Sequence, residues 1–88
     1  MTMTATVEVT VRYFAAAAAA AGVETETLGL KSGTTIEELV GRLGEGKPEL
    51  ARVLKRCSYL CDGVAVRDTS SAVTTPHTLD VLPPFAGG

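Results

Sequence analysis

Residues 34–43 read Thr-Thr-Ile-Glu-Glu-Leu-Val-Gly-Arg-Leu, and the fold turns on this stretch. Ile36, Leu39, Val40 and Leu43 fall at i, i+3, i+4 and i+7, the spacing of a single apolar stripe along a helix. Either Thr34 or Thr35 can act as N-cap, because Glu37 or Glu38 follows three residues later, as in a capping box. Gly44 and Gly46 close the segment. Pro48 suits a first helical position, and Leu50, Val53 and Leu54 carry the periodicity on for one or two turns. A helix with one stripe covers one surface, so the flanking sequence must supply a sheet.

It does so on both sides. Upstream, Val7, Val9, Val11 and Tyr13 alternate with Glu8, Thr10 and Arg12, the period of a half-buried strand. The seven alanines from Ala15 to Ala21 favour a short helix that Gly22 ends in the left-handed conformation. Residues 24–31 form a second strand with Glu26, Leu28 and Leu30 on one side, expected to pair antiparallel with the first. Downstream, residues 57–61 are strand-like, and Asp62-Gly63 is the strongest hairpin signal in the chain. Residues 64–67 return antiparallel, a polar loop runs from Asp68 to Pro76, and a last strand covers residues 78–82. If the first and last strands meet centrally they run parallel. The expected fold is α+β: a β-grasp (ubiquitin-like) domain, with a mixed sheet of four or five strands and one main helix packed across it.

Size and charge exclude other readings. A chain of 88 residues and 9.1 kDa is expected to hold one domain, since single domains commonly take roughly 100–150 residues. Eight Lys and Arg against ten Asp and Glu leave a net charge of −2, with no basic stripe beyond Arg52, Lys55 and Arg56, so no nucleic-acid partner is expected. The longest apolar run, Tyr13 to Ala21, falls short of the roughly 20 residues of a membrane span and lacks a basic leader before it. The expected location is cytoplasmic, with no membrane partner.

The chain holds two cysteines, Cys57 and Cys61. In a strand, four steps of about 3.3 Å separate them by roughly 13 Å, too far for a disulfide. Only one histidine exists, His77, and there is no C-x₂-C pair, so no metal site is expected. Nothing inside the domain resembles a catalytic set. Glu37 and Glu38 are adjacent on a helix and point apart, and the glycine pairs do not lie between a strand and a helix as a phosphate loop requires.

The end of the sequence is different. Residues 1–82 read as the domain, and residues 83–88, Pro-Pro-Phe-Ala-Gly-Gly, as an extended tail. Pro83 and Pro84 stiffen the exit from the last strand, because each ring fixes φ and neither donates a hydrogen bond. Phe85 is a large apolar side chain with nothing left in the domain to cover it. Ala86, Gly87 and Gly88 then carry almost no bulk, so this backbone can pass a channel too narrow for a Cβ. The group so delivered is the carboxylate of Gly88. It becomes reactive once acylation of a nucleotide phosphate makes its oxygen a leaving group, after which a sulfur nucleophile can displace the nucleotide.

With these residues the chain resembles the MoaD/ThiS family of ubiquitin-like sulfur carriers, and within it the molybdopterin synthase branch. The resemblance spans the domain. It includes residues 9–15, Val-Thr-Val-Arg-Tyr-Phe-Ala, then Gly33-Thr34-Thr35 and Asp62-Gly63, and is most specific in residues 82–88, Leu-Pro-Pro-Phe-Ala-Gly-Gly. Many members carry Gly-Asp before the last strand, where this chain has Thr75-Pro76-His77-Thr78.

The resemblance implies that the chain is not an enzyme by itself. An ATP-using activating enzyme of the MoeB type adenylates Gly88, a sulfur-donating protein supplies sulfur, and the product is a thiocarboxylate. The tail then enters a large synthase subunit of the MoaE type, where catalytic residues are expected and sulfur passes to a cyclic pyranopterin precursor. No cofactor is expected on this chain. Leu82, Pro83, Pro84, Phe85, Ala86 and Gly87 are the expected tail contacts. Either Tyr59 or Leu60 must face away from the helix layer and join Phe85 in an apolar partner surface. Alternatives are a carrier for thiamine thiazole or cysteine synthesis, and a protein modifier conjugated through Gly88.

Overall fold

The computed structural model describes residues 6–73 and 77–84. In chain order the elements are β1 (Thr6–Tyr13), α1 (Ala16–Ala21), β2 (Thr25–Lys31), β3 (Thr34–Thr35), α2 (Ile36–Leu43), α3 (Pro48–Leu54), β4 (Ser58–Cys61), β5 (Val64–Ala65), β6 (Ala72–Val73) and β7 (His77–Leu82). Five of the strands form one mixed sheet in the order β2-β1-β7-β4-β5. The parallel pair β1–β7 sits at its centre, with Val9 opposite His77 and Tyr13 opposite Val81. The two-layer β-grasp expected from the residue pattern is the fold observed.

Alternation along the central strands fixes which face is covered. Val7, Val9, Val11 and Tyr13 of β1 and Leu79 and Val81 of β7 are buried, and Ile36, Leu39, Leu43, Leu50 and Leu54 of α2 and α3 complete the same core. No polar or charged residue is buried with them among the described residues. Each fully enclosed leucine contributes about 1.5–3 kcal/mol relative to exposure. Tyr13 keeps its hydroxyl satisfied by donating to Glu26 Oε1 at 3.0 Å, which also ties β1 to β2.

Local chemistry sets the element ends. Thr35 caps α2 in a reciprocal box: Glu38 N donates to Thr35 Oγ1 at 3.1 Å, and Thr35 N donates to Glu38 Oε1 at 3.1 Å. Gly22 ends α1 at φ 79°, where its N–H donates to Ala18 O. The Gly44 turn lets α3 fold back so closely that a Cβ on Gly44 would lie 2.9 Å from Ala51 Cβ.

The expected close at Gly44 and Gly46 and the helical start at Pro48 are observed, with the turn at residues 44–47 separating α2 from α3. Other local expectations change. Cys57 precedes β4 rather than lying in it: its N–H donates to Leu54 O and its thiol to Val53 O, so it completes the exit from α3. The returning hairpin strand shortens to Val64–Ala65, and the last strand starts one residue earlier than expected, at His77. Within the loop, Ala72 and Val73 pair with Thr35 and Thr34 as a small second sheet. No helix among the described residues is long and apolar enough to cross a membrane.

Candidate functional site

The last described residues leave the sheet from its most enclosed strand. Leu79 and Val81 are 0 % exposed, and β7 is hydrogen-bonded to β1 on one side and β4 on the other. Leu82 is half-buried, Pro83 is buried and Pro84 is exposed. The chain is therefore held one residue past the end of β7 and released at Pro84. Phe85, Ala86, Gly87 and Gly88 lie outside the described residues, as do residues 74–76 of the departing loop sequence.

The sheet face opposite the helices flanks this stem. Residues opposite one another in register share a face, so Arg12, Asp80, Leu60 and Ala65 form one row across β1, β7, β4 and β5. Ser58 and Leu82 form the next row, nearer the stem. Arg12 Nε lies 3.5 Å from Asp80 Oδ1, an ion-pair distance, and that buried oxygen accepts no hydrogen bond. The Arg12 guanidinium also sits 5.2 Å from the centre of the Phe14 ring. No helix covers these rows, and Leu60, Leu82 and Phe14 give them apolar area beside a charged pair.

Tyr59 and Leu60 separate onto the two faces. Tyr59 packs against the buried cluster, and its hydroxyl donates to Leu54 O at 2.7 Å. Burial, with the nearby Cys57, pushes its pKa up to about 12. Leu60 is the one on the open face, half-buried, opposite Asp80. The alternation of residues 58–61 could not decide between them, because both neighbours are large and apolar; the register with β7 decides it.

The structure also assembles a group that sequence spacing hid. Cys61, Asp62 and His77 bring a sulfur, a carboxylate oxygen and a ring nitrogen within 4.8 Å of one another. Asp62 begins the hairpin turn at φ 50°, followed by Gly63 at φ 82°. Its Oδ1 accepts from Thr78 N and its Oδ2 meets His77 Nδ1. The Thr78 amide and His77 hold the Asp62 carboxyl below the usual carboxylate range, whereas burial and the Asp62 charge push the Cys61 thiol up. Counting thiols and imidazoles along the sequence missed this set. The signal available was Asp62-Gly63, since that turn folds β4 back where β7 begins.

The ThiS family model matches residues 11–88. The molybdopterin synthase sulfur carrier subunit of Chlamydomonas reinhardtii is 29 % identical over 82 residues, covering 92 % of this chain and 99 % of that protein. Among solved structures, small archaeal modifier protein 1 from Methanosarcina acetivorans is similar with a TM-score of 0.78 at 22 % identity, covering 96 % of this chain and 99 % of that one. A chain in the complex of subunits 1 and 2 of molybdopterin-converting factor from Helicobacter pylori 26695 is similar at 0.62 and 21 % identity, covering 93 % and 100 %. These two likenesses establish a shared fold.

Proposed function

The chain belongs to the ThiS family, the MoaD/ThiS group of ubiquitin-like sulfur carriers, and we propose that it serves as the sulfur-carrying small subunit of a molybdopterin synthase. Residues 1–82 act as the domain that docks, and residues 83–88 as the arm that delivers Gly88. An activating enzyme of the MoeB type uses ATP to convert the Gly88 carboxylate to an acyl-adenylate with loss of pyrophosphate. Sulfur from a donor protein displaces AMP and leaves a thiocarboxylate. In the large subunit, that sulfur passes to the pyranopterin precursor and the carboxylate is restored. The chain itself positions and carries, in the cytoplasm; ATP binds to the activating enzyme rather than here.

One observation carries this reading: the family match extends over residues 11–88 and so includes the tail. A relative matched along 99 % of its own length is a molybdopterin synthase sulfur carrier subunit. The large subunit is supported as partner by the H. pylori complex, in which a chain of this fold is one of two subunits. The geometry is consistent with that use. A stem held by Pro83 costs little entropy to order in a pocket, and the uncovered row of Leu60 and Leu82 offers apolar area on which a partner can seat.

The test is chemical. Intact mass of the protein after incubation with its activating enzyme, ATP and a sulfur donor should show oxygen replaced by sulfur at Gly88. A protein extended by one residue after Gly88 should show neither that change nor ATP–pyrophosphate exchange. Normal exchange by the extended protein refutes the carrier role. Accumulation of isopeptide conjugates in place of the thiocarboxylate identifies a modifier, and sulfur delivery to a thiazole synthase moves the carrier to thiamine synthesis.

A further inference from the structure

We propose that Cys61, Asp62 and His77 form a binding site for a thiophilic divalent cation of the zinc type, separate from the tail and independent of its role. The donors are one thiolate, one carboxylate and one imidazole, a mixed set that suits Zn²⁺ and is poorly matched to Mg²⁺ or Ca²⁺, which take oxygen. A tetrahedral ion with bonds of about 2.0–2.3 Å spaces its ligands roughly 3.3–3.8 Å apart. The three donor atoms already lie within 4.8 Å of one another, so closure needs side-chain adjustment of no more than about 1.5 Å.

The backbone beneath them is fixed in a way that a chance cluster is not. Cys61 is paired opposite Leu79, which places it two residues along the neighbouring strand from His77 on the same face. Asp62 N donates to Thr78 O at 2.8 Å, and Thr78 N donates to Asp62 Oδ1 at 2.8 Å, so the turn is clamped to β7 from both directions. That clamp orients the carboxylate as the supporting contacts of a metal ligand do. Without metal, the contact between Asp62 Oδ2 and His77 Nδ1 occupies the place the cation would take between them. Binding replaces this contact and removes the thiol proton, so at least one proton is released for each cation bound.

The surroundings allow entry. Asp62 is exposed and His77 half-exposed, and a depression of about 480 Å³ opens beside Cys61 and His77, lined also by Val64, Ala65, Val66 and Ala72. Three protein ligands leave a fourth position for water. The ion would join the β4–β5 turn to the start of β7 and so brace the edge of the sheet.

Cobalt is the probe. Titration of the reduced full-length protein with Co²⁺ should produce a thiolate-to-cobalt charge-transfer band that saturates at one equivalent and is discharged by Zn²⁺. Cys61→Ser and His77→Ala should lose the band or weaken binding at least about tenfold, comparable to loss of a metal-site contact, while Cys57→Ser keeps it. Saturating Zn²⁺ should raise the Tm of the unmodified protein by about 5 °C or more. Absence of the band in the unmodified protein overturns the proposal, and that measurement needs no variant to fold. A band retained by folded Cys61→Ser, or lost in folded Cys57→Ser, also overturns it.

Discussion

Replacing Leu60 by Ser should separate docking from folding. Leu60 lies on the open face, half-buried between Asp80 of β7 and Ala65 of β5 in register, and is not among the residues packed on the core. Its truncation should cost folding stability no more than about 0.5–1 kcal/mol, as at a surface site. That corresponds to at most roughly 4–8 °C of Tm for a domain this size. If the large synthase subunit covers this side chain, the lost apolar burial is that of its still-exposed part, about half of the 1.5–3 kcal/mol of a whole leucine, or roughly 4- to 13-fold in Kd. Serine is preferred to aspartate because a carboxylate opposite Asp80 would add like-charge repulsion of about 0.2–1 kcal/mol across the ladder and blur the comparison. Tyr59→Ala is the counterpart. It removes a ring from the core and the hydrogen bond to Leu54 O, and should cost on the order of 3 kcal/mol. Thermal unfolding measures one quantity and calorimetric titration with the large subunit the other. A Tm loss in Leu60→Ser as great as in Tyr59→Ala, or an unchanged Kd, refutes the reasoning.

Thr35→Ala removes the side-chain half of the box that starts α2, the Oγ1 that accepts from Glu38 N, while the backbone N–H of residue 35 can still donate to Glu38, and should lower unfolding free energy by about 1 kcal/mol in urea titration. Gly44→Ala forces a methyl to within 2.9 Å of Ala51 Cβ and 3.0 Å of its Cα, so α3 must shift, and stability should fall by about 1–3 kcal/mol despite the better helix propensity of alanine. The double variant with Ala51→Gly should recover part of that loss. Both tyrosines have folded pKa values raised, Tyr13 by burial and then Glu26, Tyr59 to about 12 by burial and then Cys57. A tyrosine with a raised folded pKa contributes stability that is complete below its unfolded value and is lost as pH rises through the folded one. Tyrosinate absorbance should therefore stay absent near pH 10 and appear together with alkaline unfolding; half-ionisation near pH 10 in folded protein would contradict the burial of both rings.

Long periodic segments were legible in the residues, and short or tertiary ones were not. Val7 to Tyr13 alternates over enough positions to name its buried face, and Ile36 to Leu43 repeats over enough turns to name its stripe. The strands at Thr34–Thr35 and Ala72–Val73 are two residues each and show no period, so Thr34–Thr35 read only as a cap and Ala72–Val73 only as loop. The break between α2 and α3 was legible in Gly44, Gly46 and Pro48, even though Leu50 and Leu54 face the same core as Leu39 and the apolar period runs on across it. For the site, the residue types alone pointed to Pro83 and Pro84 as the exit from the last strand, and the structure adds that Pro83 is buried and Pro84 exposed. The choice between Tyr59 and Leu60, and the meeting of Cys61 with His77, needed the register of β4 on β7, which no local pattern encodes.

Placing β7 in the middle of the sheet has a consequence for how the chain acquires its shape. β1 finds its inner neighbour 68 residues away, with Val9 opposite His77, and contacts of such separation are slow to form because the intervening chain must first be closed into a loop. Until β7 arrives, β4 and β1 have no common partner, Leu79 and Val81 are missing from the core, and the hairpin at Asp62 has nothing to clamp to. The sheet is thus complete only once the final strand has docked as its keystone. Pro83 can be enclosed only after that event. An ordered stem therefore certifies a finished domain, and a partner that grips stem and open face together discriminates against nascent or misassembled chains without inspecting any other part of them.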